Sequence, residues 1–168
     1  MVMMASIISS CLFNLPMGLL VQRFGGKLLL QLSLIVTIVT YIPFPWLTLW
    51  GGWKLAVTTL LIRGLSASSL YPAVHNLLAN WVPLSERSRF SSYVYSGTNV
   101  GTVIAYQVTG LLAESKGGWP CSFWMVGAFN LLVFVLWTIF GAASPSEDKY
   151  ISTEEKLFIL ERLGKVEK

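Results

Sequence analysis

Three polar side chains lie within long apolar stretches of the sequence: Asn14, Arg63 and His75. A guanidinium group in apolar surroundings binds a carboxylate or phosphate through two parallel hydrogen bonds. An imidazole that follows Pro72 in the same helix either bonds a carbonyl that the proline leaves free or relays a proton. Asn14 either lines a cavity or bonds a neighbouring helix. These residue types predict a substrate site for anions, with purely structural bonding as the open alternative for each residue.

The apolar stretches have the lengths of membrane-spanning helices. Of the 168 residues, 54% are hydrophobic and only 12% are charged, whereas soluble proteins average about 25% charged residues. The apolar runs are continuous rather than alternating, which favours helices over strands, and each is close to the ~20 residues that a bilayer core requires. The predicted spans are 1–21, 27–45, 54–80, 90–113 and 121–143. The sequence therefore predicts an all-α, polytopic transmembrane helical bundle.

The position of Arg63 along its predicted span makes its charge informative. Arg63 lies nine residues after Lys54, at the border of the span, which is about 13 Å along a helix and too deep for easy snorkelling. A charge at the bilayer centre costs at least about 2.5–3.5 kcal/mol on insertion scales. Arg63 is therefore predicted to face the interior of the bundle.

Lys and Arg are concentrated in alternate joints between the predicted spans, namely 22–27 and 81–89, and in the tail. Because positive residues in short loops stay on the cytoplasmic side, the tail is predicted to be cytoplasmic, in the plasma membrane or an organelle membrane. The net charge of +4 follows from these loops and does not imply a nucleic-acid partner. Residues 144–168 are predicted to form a linker and a short amphipathic helix, with a capping box of Ser152 and Glu155.

Several joints resemble those of one known family. The joint from Gly18 to Lys27 reads Gly-Leu-Leu-Val-Gln-Arg-Phe-Gly-Gly-Lys and resembles the signature loop between the second and third helices of the major facilitator superfamily, with Gln22 in place of the usual acid. Tyr71-Pro-Ala-Val-His75 and Asn80-Trp-Val-Pro-Leu-Ser-Glu-Arg-Ser-Arg89 resemble its anion:cation symporter branch. That branch includes sialin, the vesicular glutamate transporters and the sodium/phosphate cotransporters, and the likeness is strongest to the insect inorganic phosphate cotransporters.

The resemblance implies that the chain is the partial N-terminal half of a twelve-helix fold, from the second helix to the sixth. The first helix and the C-terminal six-helix half are then missing partners, and the substrate binds between the halves near the middle of the membrane. The implied function is secondary active transport of inorganic phosphate or organic anions across a lipid bilayer, coupled to Na⁺ or H⁺ and without a cofactor. A truncated, non-transporting membrane scaffold or partial gene product is the alternative. An enzyme is disfavoured, because the sequence has no clustered catalytic set and one histidine.

The resemblance also implies roles for individual positions. The fourth helix of the vesicular glutamate transporters and sialin carries an Arg and, seven residues later, a Glu implicated in substrate and proton handling. The matching positions here are Leu60 and Ala67. Arg63 lies one turn from Leu60 and is a candidate replacement for the cation, whereas nothing replaces the acid. Coupling through that acid is therefore disfavoured, and the coupling ion stays open.

The two positive joints are implied to form a cytoplasmic gate. Arg23 and Lys27 are expected to meet Glu86 and to stabilise the state in which this side is closed. Exposed ion pairs contribute only about 0–1 kcal/mol, so a solvated charge cluster is the alternative. The predicted gating residues are Gly18, Gln22, Arg23, Gly25, Gly26, Lys27, Glu86, Arg87 and Arg89.

Overall fold

The computed structural model describes residues 2–115, 117–147 and 151–163, with side chains from residue 11 onward. Within these residues the chain forms helices and no strands, which confirms the all-α prediction. The helices are α1 (Val2–Phe24), α2 (Gly26–Tyr41), α3 (Phe44–Ala67), α4 (Leu70–Trp81), α5 (Arg87–Glu114), α6 (Trp119–Phe140) and α7 (Thr153–Arg162).

Two helix interruptions differ from the predicted joints. Helix α3 runs through the predicted joint before residue 54 and is broken only at Gly52, whose φ of 58° is a conformation that glycine adopts readily. The predicted span 54–80 contains a second interruption, at Ser68 and Ser69, where α3 ends and α4 begins. The break precedes Pro72, which has no N–H to donate to the preceding turn.

Serine side chains bond the backbone carbonyls at this interruption. Ser69 Oγ donates to the carbonyl of Ser66 over 2.8 Å, and Ser33 Oγ of α2 donates to the same carbonyl over 3.1 Å. Ser68 Oγ donates to the carbonyl of Leu65 over 2.6 Å. All four serines involved, including Ser66, are buried. Because an unpaired carbonyl in an apolar interior costs several kcal/mol (roughly 2–7), these hydroxyls stabilise the interruption between α3 and α4.

Length and hydropathy single out one described helix, α6, as long and apolar enough to cross a membrane on its own. Helix α2 passes the same test only together with the segment Phe44–Trp81, across a bend of 77°. The five-span arrangement as a whole stays a prediction.

The helices pack around α2, which contacts α3, α4 and α6, while α1 lies along α3. The small buried core consists of Val21, Leu29 and Ala73, with Leu30 packed against it. It lies where the end of α1, the start of α2 and the start of α4 meet. By contrast, α5 has no buried residue, so its apolar side chains are free to contact lipid or further helices.

One end of the bundle collects the α1–α2 joint, the α4–α5 joint and the end of α6, and it is called the basic end below. It is defined by the joints 22–27, 82–86 and 141–144. Helix α7 lies at this end, where Lys156 Nζ donates to the carbonyl of Ser146 over 3.3 Å. Ser152 is the N-cap residue of α7, as predicted, but its side chain makes no capping hydrogen bond, so the reciprocal capping box does not form.

Candidate functional site

Arg63 lies on α3 with its guanidinium carbon 4.9 Å from the centre of the Tyr41 ring, at the end of α2. The side chain is partly exposed. Among the described residues, no hydrogen bond or ion pair to the guanidinium is formed, so bonding to backbone carbonyls is not what holds it. A cation over an aromatic face gains about 0.5–2 kcal/mol and keeps its N–H donors available for a ligand. The arrangement is suited to binding an anion.

An aromatic cluster holds Tyr41 in place. The ring centres of Tyr41 and Phe123 are 5.6 Å apart, and Phe44 stacks on Phe123 at 4.6 Å. Trp119 packs perpendicular to Phe123, with ring centres 5.8 Å apart. These rings fix the corner between α2 and α3 against the start of α6 and thereby fix the surface on which Arg63 lies. The sequence analysis missed this cluster, because its members are distant in sequence.

His75 pairs with Tyr95 of α5. Within the described part of the chain, it does not bond a carbonyl freed by Pro72, which was one of the two predicted roles. The His75 Nε2 and Tyr95 Oη atoms are 2.5 Å apart, and Tyr71 stacks on Tyr95 with ring centres 6.0 Å apart. Either atom of the pair can donate the proton, since imidazole nitrogen and phenol oxygen both donate and accept. The pair therefore joins α4 to α5 through a bond that carries an exchangeable proton.

The structure does not bring the three predicted substrate residues into contact. Asn14 is exposed on α1, and no hydrogen bond or ring contact within the described residues joins it to Arg63 or His75. The groups around Arg63 and His75 have separate partners, Tyr41 and Tyr95.

An apolar cavity of about 440 Å³ lies at the basic end, and it belongs to neither the Arg63 nor the His75 group. Leu30, Leu78, Trp81, Val94 and Trp137 are among its lining residues. Its lining residues do not include those predicted to bind substrate, so the cavity is not part of the candidate site.

The α1–α2 joint contains one glycine at a close approach and one at a special backbone conformation. Gly25 has a φ of 84°, which disfavours any other residue. At Gly26, an added Cβ would lie 2.7 Å from the carbonyl oxygen of Ala73 on α4. Gly18 has nothing within 4 Å of such a Cβ. The predicted close approach therefore rests on Gly26, while a Cβ on Gly18 would meet none of the described residues within 4 Å.

A side chain that the sequence analysis missed completes this joint. The N–H of Gly26 donates to Asn76 Oδ1 of α4 over 3.0 Å. Asn80, one turn later, donates to Asn76 Oδ1 over 3.5 Å and to the carbonyl of Ala143 over 3.4 Å. The sequence feature that could have identified Asn76 is its pairing with Asn80, four residues later on the same helix face.

The predicted contact of Glu86 with Arg23 and Lys27 is not formed. Instead, Glu86 Oε1 lies 3.8 Å from Arg162 Nη1 of α7, with both side chains about half exposed. Arg87 donates from Nη2 to the carbonyls of Ala79 and Val82 over 3.2 and 3.4 Å. Cations near the end of a helix stabilise its last carbonyls, so Arg87 closes α4. Arg89 Nε donates to the hydroxyl of Tyr93 over 3.3 Å, while Gln22 and Arg23 are exposed.

The exposed pair of Glu86 and Arg162 is expected to contribute little to stability. Arg162→Ala should lower the free energy of unfolding by less than about 1 kcal/mol, because solvent screens both charges. Arg87→Ala is the matched comparison and should cost more, since it leaves the carbonyls of Ala79 and Val82, at the end of α4, without this donor. Thermal unfolding in detergent measures both. A larger loss for Arg162→Ala than for Arg87→Ala would contradict this ranking.

Comparisons with known proteins bear on the whole chain. The sequence profile of the Major Facilitator Superfamily matches residues 1–166. A Drosophila melanogaster protein named as an inorganic phosphate cotransporter is 33% identical over 153 residues, which are 89% of this chain and 29% of that protein. An Arabidopsis thaliana chloroplastic ascorbate transporter is 34% identical over 151 residues, 85% of this chain and 26% of that protein. Human sialin is 32% identical over 150 residues, 89% of this chain and 30% of that protein. The chain spans less than a third of the length of each of these relatives.

Proposed function

Because the chain belongs to the Major Facilitator Superfamily, we propose that it is part of a secondary active transporter of small anions, inorganic phosphate or organic anions, coupled to Na⁺ or H⁺. The family membership predicted from the joints is confirmed by the match over residues 1–166. Members of this superfamily are integral membrane proteins with sites at the interface of structural repeats. The proposed topology places the tail in the cytoplasm, in line with the positive joints.

The observation that carries the proposal is the state of Arg63. Its guanidinium is held over Tyr41 at 4.9 Å and meets no carboxylate among the described residues. A structural arginine in a low-dielectric interior normally requires an anionic or carbonyl partner. A transported anion supplies that partner through charge-assisted hydrogen bonds, which are about twice as strong as neutral ones.

The names of the relatives support an anionic substrate. Phosphate, ascorbate and glutamate appear in the names of proteins that are 26–34% identical to this chain. All three compounds carry negative charge at neutral pH, although they differ in size and shape. A guanidinium group binds both phosphate and carboxylate through its paired N–H donors, and its positive charge also attracts the ascorbate anion.

Two observations bear on the coupling ion. The pair of His75 and Tyr95 supports H⁺, since the imidazole nitrogen and the phenol oxygen share an exchangeable proton. Ala67 stands where the resembled transporters have their acid, which supports Na⁺ or a different proton carrier. The proposal therefore retains both ions and leaves the choice to experiment.

Uptake into proteoliposomes tests the function. The full-length transporter that contains this sequence is reconstituted, and radiolabelled phosphate uptake is measured with a Na⁺ gradient or a pH gradient imposed separately. We expect saturable uptake that one of the two gradients accelerates, with competition by unlabelled ascorbate, glutamate or sialic acid identifying the preferred anion. Labelled forms of these anions are then tested in the same way. Uptake no faster than into empty liposomes, for every anion and both gradients, would contradict the proposal.

A further inference from the structure

Helix α2 begins without a capping side chain from its own sequence. Its N-cap residue is Gly25, and no neighbouring side chain in the joint bonds its first N–H groups. The first four N–H groups of any helix lack partners within the helix and are satisfied from outside. Here the N–H of Gly26 is bonded by Asn76 Oδ1, fifty positions away on α4, over 3.0 Å. Asn76 therefore performs the role of an N-cap from another helix.

The same region of α4 is bonded to the end of α6. Asn80 Nδ2 lies 3.5 Å from Asn76 Oδ1 and 3.4 Å from the carbonyl of Ala143. Trp81 Nε1 donates to the carbonyl of Ala142 over 3.2 Å. Three side chains from the last turns of α4 thus connect two joints of the basic end that are far apart in sequence. We call Asn76, Asn80 and Trp81 the α4 clamp.

Close packing adds to the clamp at the α1–α2 joint. Ala73, one turn before Asn76, is fully buried, and its carbonyl oxygen lies 2.7 Å from the position of a Cβ on Gly26. Backbone of α2 and backbone of α4 therefore approach within contact distance. At that distance the Asn76 oxygen reaches the N–H of Gly26 directly.

We propose that Asn76 is a positioning residue of the transporter, whose carboxamide oxygen fixes the start of α2 against α4 and thereby sets the placement of Arg23 and Lys27. Lys27 follows Gly26 directly, and Arg23 is exposed at the last turn of α1. Both cations are presented at the basic end by a joint that Asn76 anchors. The importance of this anchor for transport rests on the proposed function, whereas the anchor itself does not.

The chemistry of the contact specifies a discriminating variant. Asn76 Oδ1 accepts hydrogen bonds from both Gly26 and Asn80, and a carboxylate oxygen accepts from the same donors. Asn76→Asp retains the shape and both acceptor bonds, and it places negative charge at a helix N-terminus, where such charge is favourable. Asn76→Ala removes the acceptor and leaves the Gly26 N–H without a partner.

Hydrogen–deuterium exchange of this chain in detergent micelles tests directly whether Asn76 anchors the start of α2. Asn76→Ala is expected to speed exchange of the backbone amides in residues 22–29 by roughly 2- to 10-fold, the equivalent of one net hydrogen bond. Asn76→Asp should exchange as slowly as the unmodified chain. Asn130→Ala is the matched control, because Asn130 donates only to the carbonyl of Val126 in its own helix, and it should leave these amides unchanged. Unchanged exchange in Asn76→Ala, or fast exchange in Asn76→Asp, would overturn the anchor. The measurement on Asn76→Asp tests the anchor even if Asn76→Ala does not fold.

Transport kinetics test the positioning role of Asn76. In the reconstituted full-length transporter, Asn76→Ala should lower the maximal uptake rate several-fold with less than a 2-fold change in KM, and Asn76→Asp should restore the rate. Restoration by Asp separates a hydrogen-bonding role from simple packing. A raised KM at unchanged maximal rate would overturn the positioning role. If the unmodified transporter takes up no anion, the proposed function fails, while the exchange measurement still decides the anchor.

Discussion

Arg63→Ala is expected to raise the KM for the transported anion roughly 10- to 100-fold, because hydrogen bonds to a charged group contribute about 1.5–3 kcal/mol each. The guanidinium lies over the Tyr41 ring, with its donors available among the described residues. The KM of Arg63→Lys should lie between those of the unmodified transporter and of Arg63→Ala, since an ammonium group keeps the charge but cannot form the two parallel bonds. Initial rates of radiolabelled anion uptake over a range of concentrations measure the change.

The controls for Arg63 test its position as well as its charge. Arg162 also lies over an aromatic ring, that of Phe158 at 4.5 Å, but on α7 and outside the candidate site. Arg162→Ala should therefore leave KM unchanged. Tyr41→Leu removes the ring beneath Arg63 and should raise KM by a smaller factor, about 2- to 5-fold, whereas Tyr41→Phe keeps the ring face and should not. Uptake by Arg63→Ala with an unaltered KM would remove Arg63 from the substrate site.

Gly26→Ala is expected to destabilise the fold by about 1–3 kcal/mol, the usual cost of forcing extra volume into a packed contact. Its new Cβ would meet the backbone carbonyl of Ala73 at 2.7 Å, and backbone atoms cannot turn aside as a flexible side chain can. The same displacement would lengthen the bond between Gly26 and Asn76. The loss is measured as a lower thermal unfolding temperature in detergent, together with the fraction of protein recovered as monomer.

Gly18→Ala is the matched control for this substitution. Gly18 lies within α1, and a Cβ there meets nothing within 4 Å. Since alanine is favoured over glycine in a helix by about 0.8–1.0 kcal/mol, this variant should be as stable as the unmodified chain or slightly more stable. Equal stability of both variants would show that α2 and α4 do not approach as closely as described.

These two predictions concern the two properties that a moving transporter needs. In the proposed function, Arg63 and its aromatic support are the place where an anion replaces water. Gly26 and Asn76 keep the α1–α2 joint attached to α4. In alternating access, one repeat or bundle moves as a body against another around a fixed site. In the proposed transporter, a joint anchored to its own bundle would allow the exposed Arg23 to meet and leave a partner charge without unfolding the start of α2.

The sequence by itself determined the all-helical class and the family. Long apolar runs restrict the backbone to structures that satisfy their own hydrogen bonds, and the joints at 18–27 and 80–89 carry residues whose order is recognisable without any contact map. The N-cap position of Ser152 was equally local, since it depends on the backbone of adjacent residues.

Only the tertiary structure decided the partners of these residues. Glu86 pairs with Arg162 and not with Arg23, His75 with Tyr95, and Gly26 with Asn76. Each contact joins residues of different helices or joints, and the spacing within one helix does not encode the angle or register at which another helix packs against it. For the same reason three similar glycines of one joint differ: a Cβ is excluded at Gly26 by a neighbouring backbone, is disfavoured at Gly25 by its positive φ, and is unopposed at Gly18.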